Sequence, residues 1–361
     1  MYSYNYLFDL TRKIFSGMGC SDEHSTTIAE ILLKAEIRNI SSHGMLRISD
    51  YFQLWKEGRI SATPDIRVVH ESLSTAVVDG DKAFGMIPAK FSMELAIDKA
   101  RHAGTGWVAT RNSNHFGIAG YYAMMALEHD MIGICVTNAN PTVAPTFSVE
   151  KMLGTNPVAM AVPALNQPPF VADFATTPIP RGKVAIAEKK GEQLATGLIQ
   201  DSEGVTTTDP SALRRGGAIL PLGSDYIHGS HKGYCMGSIV DILSGVVSGA
   251  NFGPFVPPGV AYLPRKDRET GLGTGHFFGA MKIDAFMPAE EFRARMDEWI
   301  VSLRAAKPAA GHEKVLIPGD PEREWEEKIM KEGINVVPKV IEDMKLVTTE
   351  LGIEFNPGAD M

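Results

Sequence analysis

Cysteine is scarce in this chain: only Cys20, Cys135 and Cys235 occur in 361 residues, an odd number without CxxC spacing. The sequence therefore offers neither a disulfide framework nor a cysteine-built zinc site, and a reducing compartment is the simpler setting. Long apolar runs are missing too, none approaching the roughly 18 residues that would span a bilayer. Positive charge is in deficit, because 35 Lys and Arg against 43 Asp and Glu give a formal net charge of -8. No long basic run exists to neutralise a phosphate backbone, so nucleic acid is not an expected partner. Met1 to Phe15 mixes Asp9, Arg12 and Lys13 with aromatics and lacks the basic and apolar regions of a signal peptide. A cytoplasmic protein with no membrane partner is the expectation. Internal repeats and low-complexity tracts are absent.

What is present suits a folded globular protein of two or three intertwined modules. Apolar residues make up 44% and charged residues 22%, far from the profile of a disordered chain. Apolar spacing predicts helices over Tyr4 to Gly17 and over Asp22 to Arg38, the second capped by Ser21, with a third following Ser41. From about Ser74 the pattern turns to short strands: Ser74 to Val78, Trp107 to Thr110, Ile132 to Thr137, Val158 to Val162 and Phe170 to Asp173. Helices at Ala89 to Ala103 and Ala119 to His129 intervene. A long apolar helix over Lys232 to Ser248, stopped by Gly249, reads as core, and Phe277 to Ile283 reads as a strand. Helices return at Ala289 to Leu303, Pro321 to Lys331 and Val337 to Leu351. A β-rich middle thus lies between helical ends.

Four constellations carry chemistry. In Ser41-Ser42-His43-Gly44-Met45-Leu46-Arg47, His43 and Arg47 are four apart and would share a helix face with Tyr51; Ser41 would cap, and Gly44 would admit a ligand to the backbone. An imidazole that trades a proton near neutral pH beside a guanidinium that grips a carboxylate suits a 2-oxo acid, though a solvated helix face has the same spacing. A βαβ-like stretch from Gly106 to Asn138 holds the loop Arg111 to Gly117, which opens a helix and could meet a phosphate or simply be an ordinary cap. Gly154-Thr155-Asn156-Pro157 precedes Asp173-Phe174-Ala175-Thr176-Thr177, where Asp173 could orient a histidine or merely cap a turn. Gly229-Ser230-His231-Lys232-Gly233-Tyr234 places a lysine at a helix start, fit for a pyrophosphate or for a polar cap.

Other chemistries fail on context. Gly104 to Ala109 fits a relaxed GxGxxG/A pattern, yet it follows a helix and opens a strand, the reverse of the dinucleotide fingerprint. No GxSxG elbow exists, and His228 with His231 has no carboxylate cluster to complete a metal site.

Taken in order, Ser42-His43-Gly44 with Arg47, Asn114-His115-Phe116-Gly117, Gly154-Thr155-Asn156-Pro157, Asp173 to Thr176, Thr208-Asp209-Pro210, Leu220 to Gly223, His231 to Tyr234 and Ile317-Pro318-Gly319 resemble the type 2 malate/L-lactate dehydrogenase family. That family also holds ureidoglycolate, sulfolactate, diketogulonate and piperideine-carboxylate reductases. The resemblance implies an α/β, non-Rossmann fold: a mostly antiparallel mixed sheet for the cofactor, over 71–285, with helical segments 1–70 and 286–361 packed together on the substrate side and at a dimer interface. It implies a homodimer that passes a hydride between nicotinamide and C2 of a small 2-oxo/2-hydroxy acid, malate or lactate first. A cyclic imino acid is the alternative substrate, and a non-catalytic ligand-binding protein the alternative class. His43 would be the proton donor, Ser42 and Asp173 its polar relay, and Arg47 and Thr155 the substrate contacts. Cofactor contacts would fall on His115, Phe116, Gly117, Ile118, Ala119, Asp173, Phe174, Ala175, Arg181, Gly182, His231, Lys232, Pro318 and Gly319, with His115 as reserve catalyst. No metal is implied. After Pro318-Gly319 the chain reads Asp320-Pro321-Glu322-Arg323, and so acidic a turn favours NADH over NADPH.

Overall fold

The computed structural model describes residues 1–266 and 268–356; position 267 and the last five positions of the expected 286–361 segment lie outside the described residues. The chain opens with α1 (Tyr4–Gly17) and α2 (Asp22–Ile37). Ser21 caps α2 by accepting from His24 N at 3.1 Å, with Asp22 and Glu23 placed to complement the helix dipole. Ile28, Ile31, Leu32 and Ala35 are buried on one stripe, as their spacing predicts.

The third helix departs from expectation. Residues 41–47 form two 3₁₀ turns, Ser41–His43 and Met45–Arg47, broken at Gly44 (φ -98°, ψ -135°), and α3 (Ile48–Lys56) begins only afterwards. The cause lies on α2. The Glu36 carboxylate is buried there and accepts from Met45 N at 2.7 Å, occupying the space a Cβ on residue 44 would need. Gly44 therefore makes room for Glu36 rather than for a ligand. Ser41 caps no helix and also bonds Glu36.

Seven strands form the main sheet, in the order β1 (Arg67–Glu71), β2 (Thr75–Asp79), β3 (Thr105–Ser113), β10 (Thr274–Lys282), β4 (Met131–Thr137), β5 (Val158–Val162), β6 (Phe170–Phe174). All pairs are antiparallel except β2 with β3, which α4 (Met86–Ala103) joins as the crossover a parallel pair requires. β1 was not foreseen, because its residues are all exposed and show no alternation. The βαβ-like stretch is real in sequence order, with α5 (Ala119–Met125) extended by the turn Ala126–His129. Its two strands are not neighbours, however: β10 enters between β3 and β4 and pairs antiparallel with both.

A satellite core of Val143, Leu153, Ile179, Val184, Ile199, Ala212 and Ile219 lies under α6 (Arg181–Lys190) and a small sheet of β7 (Ile199–Gln200), β8 (Thr206–Thr207) and β9 (Ala218–Ile219). The long apolar helix runs as α7 (Ser230–Asp241), then a π-helical turn Ile242–Val246. It is not a core helix throughout: Ile239, Ile242, Val246 and Val247 are each at least 50% exposed. After β10 come α8 (Ala289–Arg304), α9 (Asp320–Glu332) and α10 (Pro338–Leu351). The chain ends meet where Tyr2 N donates to Ile334 O at 2.9 Å and Ile334 N returns a bond to Tyr2 O at 2.8 Å. Val340, Met344 and Val347 of α10 share one core with α1–α3 and the sheet. No helix among the described residues is long and apolar enough to cross a membrane.

Small residues let helices lie close on the sheet. Gly133 of β4 faces the carbonyl of Ala123 on α5 so closely that a Cβ there would meet backbone, which cannot give way as a flexible side chain can. Gly133→Ala is expected to lower the urea midpoint, costing about 1–3 kcal/mol as overpacked cores do. An unchanged midpoint in circular dichroism would contradict this close approach.

Candidate active site

The first 3₁₀ turn, the start of α3 and the loop after β3 converge. The His43 and His115 rings stack with centroids 5.3 Å apart and planes at 27°. Ser42 Oγ shares a 2.9 Å hydrogen bond with His43 Nδ1, and Tyr51 OH shares one of 2.7 Å with His115 Nδ1, leaving both Nε2 atoms without a partner among the described residues. Arg47 is held at two nitrogens: Nε donates to Ser42 O at 2.8 Å and Nη1 to Asp50 Oδ2 at 3.2 Å. No bond among the described residues takes its Nη2. His43 and Arg47 thus meet as expected, by a tight double turn rather than along one helix face.

Both imidazoles are held neutral. Loss of solvation in this packed surround, and then the Arg47 charge, pulls the His43 pKa down to about 4. His115 is lowered well below the usual range by desolvation first, then by Arg47, His43 and His276. Beneath the loop, the fully buried His276 bonds Thr137 Oγ1 through Nδ1 and Ser113 Oγ through Nε2, each at 2.7 Å, and stacks on Phe116 at 4.5 Å. This support was invisible in sequence, since His276 lies 161 positions beyond His115 and just before the stretch Phe277 to Ile283 that reads as a strand.

The expected cofactor residues divide. Phe116, Ile118 and Ala119 are buried, so the loop offers backbone rather than those side chains, and Gly117 (φ +81°) presses against Ile31. Asp173 does not orient His43. Its Oδ2 accepts from Gly120 N at 2.8 Å, and its charged neighbours are Arg38 and Glu322. Desolvation raises its pKa to about 6, partly countered by the Gly120 bond, even though the residue as a whole reaches the surface. The anion at the start of α5 is therefore the protein's own carboxylate, which argues against a phosphate there.

The segments nevertheless adjoin. Val171 N donates to Pro318 O at 3.1 Å, which sets the Pro318-Gly319 turn beside β6, and Gly319 takes φ +98° as it packs on Val171. Thr155 serves through its carbonyl, which accepts Thr176 N at 2.9 Å and Thr176 Oγ1 at 3.0 Å. Asn156, fully buried, accepts from Ala139 N and donates to Gly237 O, fixing this turn to α7. Leu222 N bonds Thr176 O at 2.9 Å, which brings the exposed Phe174 and half-buried Ala175 toward the start of α7. There His231 Nδ1 is buried without a partner among the described residues, Lys232 is exposed, and Gly229 is left-handed (φ +95°). An orphaned ring nitrogen and a lysine at a 12-residue helix start fit the phosphates of a dinucleotide. Arg181 and Gly182 stand exposed at the start of α6, Arg181 close enough to Lys151 to lower its pKa, second to desolvation.

A cavity of about 560 Å³ opens between α2, α9 and β6, lined by Lys34, Arg38, Val171, Arg323 and Glu326 among others. It flanks Asp173 through Arg38 rather than the histidine pair. No group of three or more metal-ligating side chains occurs among the described residues.

This geometry has relatives. The chain is 38% identical over 349 residues to a malate dehydrogenase of Pyrococcus abyssi, covering 96% of this chain and 94% of the relative. It is 38% identical over 342 residues to an L-sulfolactate dehydrogenase of Methanocaldococcus jannaschii, covering 95% and 94%. The solved structure of malate dehydrogenase from Pyrococcus horikoshii superposes with a TM-score of 0.89 at 35% identity, covering 98% of this chain and 96% of that one. The family model described as malate/L-lactate dehydrogenase matches residues 2–345, and the chain belongs to that family.

Proposed function

We propose that this chain is a nicotinamide-dependent dehydrogenase that passes a hydride to or from C2 of a small 2-oxo/2-hydroxy acid, malate first. The observation that carries the reading is the stacked pair of neutral imidazoles beside a tethered guanidinium with one nitrogen to spare. Bound reduced nicotinamide supplies the hydride. Arg47 takes the substrate carboxylate on Nη2, its other two nitrogens fixing the guanidinium plane. His43 exchanges the proton of the C2 oxygen through Nε2, while Ser42 sets its tautomer at Nδ1. The anionic substrate offsets the Arg47 field, so the imidazole's affinity for a proton rises when substrate binds. Malate and sulfolactate, named in the two relatives, both carry a second acidic group, which supports a dianionic acid over lactate.

NADH is the preferred cofactor, on altered grounds. Asp320 cannot meet a ribose, because its carboxylate is buried and bonded to Arg304 at 2.7 Å, to Arg323 and to Ile317 N at 2.9 Å. Asp173 stands beside the Gly319 turn with Arg38 and then Glu322 as its charged neighbours, and an acid there suits a free ribose hydroxyl better than a 2′-phosphate. The half-exposed stripe Ile239, Ile242, Val246 and Val247 supports the homodimer, since a second copy would cover a face that water otherwise wets.

A panel of 2-oxo acids, followed by nicotinamide absorbance with each cofactor in parallel, should show oxaloacetate reduction with NADH outpacing NADPH; silence across the panel would reject the assignment. Changing His43→Ala should lower kcat by a factor on the order of 10²–10⁴ while NADH affinity holds. In the intact enzyme the folded pKa lies below that of a free imidazole, so the basic form persists to low pH. The kcat/KM for hydroxy-acid oxidation should stay level down to about pH 5 and fall toward 4; a break near 6.5, or full activity in the Ala variant, moves the proton transfer to another group. Light scattering should report the mass of two chains, and Ile242→Asp should yield monomers. A monomeric native protein would exclude the dimer.

A further inference from the structure

We infer that Arg59 is a positioning residue of this site, clamping the strap 253–262 against His115 and so limiting the space left for the side chain of the acid. The inference rests on the dehydrogenase reading for its second half only.

Arg59 follows α3, where its N–H donates to Leu54 O at 2.9 Å, and its side chain is 11% exposed. Its guanidinium serves three carbonyls of one strap: Nη2 donates to Pro258 O at 2.9 Å, and Nη1 reaches Ala261 O at 3.4 Å and Val260 O at 3.5 Å. No other donor among the described residues reaches those carbonyls. Beyond the 3₁₀ turn Gly253–Phe255 the strap has little means of securing itself, because Pro257 and Pro258 lack N–H groups and so cannot join a ladder. At its other end it is held where Gly253 N donates to Asp241 Oδ2 at 2.8 Å and Val256 is buried. Within the stretch held by Arg59, Gly259 runs alongside His115, where a Cβ on it would make van der Waals contact with the Cβ of His115 at 3.7 Å.

Helix α3 thus carries Tyr51, bonded to His115, and is flanked by Arg47 just before it and by Arg59 just after it, which grips the strap that passes the His115 Cβ. Strap and His115 are thus both tied to α3 and the turn that follows it, which suits a wall that measures the substrate. A planar five-donor fork can hold several carbonyls at once, and a lysine cannot reproduce it.

The test compares the full-length protein with Arg59→Ala and Arg59→Lys by hydrogen–deuterium exchange of the 253–262 peptide and by kinetics. Exchange in that peptide should quicken by about fivefold or more in Arg59→Ala, and less in Arg59→Lys, while other peptides hold. The ratio of kcat/KM for oxaloacetate to that for the longer 2-oxoglutarate should fall about tenfold, with the NADH dissociation constant from fluorescence changing less than about twofold. Should Arg59→Ala fail to fold, Arg59→Lys carries both measurements. Unchanged strap exchange overturns the clamp; faster exchange with an unaltered ratio overturns the role in substrate choice. Exchange needs no substrate, so faster exchange in a protein that reduces no 2-oxo acid would uphold the clamp and reject the dehydrogenase reading alone.

Discussion

A guanidinium packed beside two stacked imidazoles in a partly desolvated pocket is the arrangement on which the other features of the site depend. Arg47 is fixed by Ser42 O and Asp50, and its charge helps keep His43 and His115 neutral. A positive centre of this kind is poorly solvated and welcomes an anion, while the neutral rings stay ready to exchange a proton once that anion arrives. Everything nearby serves to hold those groups still. Glu36 dictates the break at Gly44, Tyr51 fixes His115, and the buried His276 carries the loop from below through Phe116.

That precision comes from a sheet whose central strand arrives late in the chain. β10 sits between β3 and β4, so the loops of the first half are braced by residues 274–282. Glycines at 106, 133 and 279 remove side chains where helix backbone or an aromatic ring comes close, and α4 and α5 settle near the strands as a result. The polar knot of Asn138, Asp241 and Asn251 ties α7 to the same region, with Asn138 donating to Asp241 at 3.1 Å and to Asn251 O at 2.8 Å.

Much of this was legible beforehand where the signal was local. Helices α1, α2 and α8–α10 and strands β4–β6 follow from apolar period and caps, because each buries one face against a neighbour. His43, Arg47 and His115 were named from residue types and from family resemblance, and they meet in space. The errors share one cause. Asp173 was read as an orienting acid for His43, Gly44 as an opening for a ligand, the turn from Asp320 to Arg323 as acidic toward a ribose and the α7 helix as core. In each case the partner sits far away in sequence: Gly120 for Asp173, Glu36 for Gly44, Arg304 for Asp320, and for the stripe no segment of the described chain at all.

By itself the sequence determined the periodicities, the caps, the lack of membrane-spanning runs and the stock of chemical groups, since these are properties of neighbouring residues and of composition. Only the tertiary structure decided which groups face one another. It set β10 between strands that are consecutive in the chain, closed Asp173 onto a helix start, stacked residue 43 on residue 115 and drew Arg59 onto carbonyls some 200 positions away. Such pairings arise from how buried faces and polar groups are satisfied across the whole core, a condition that no short window of sequence contains.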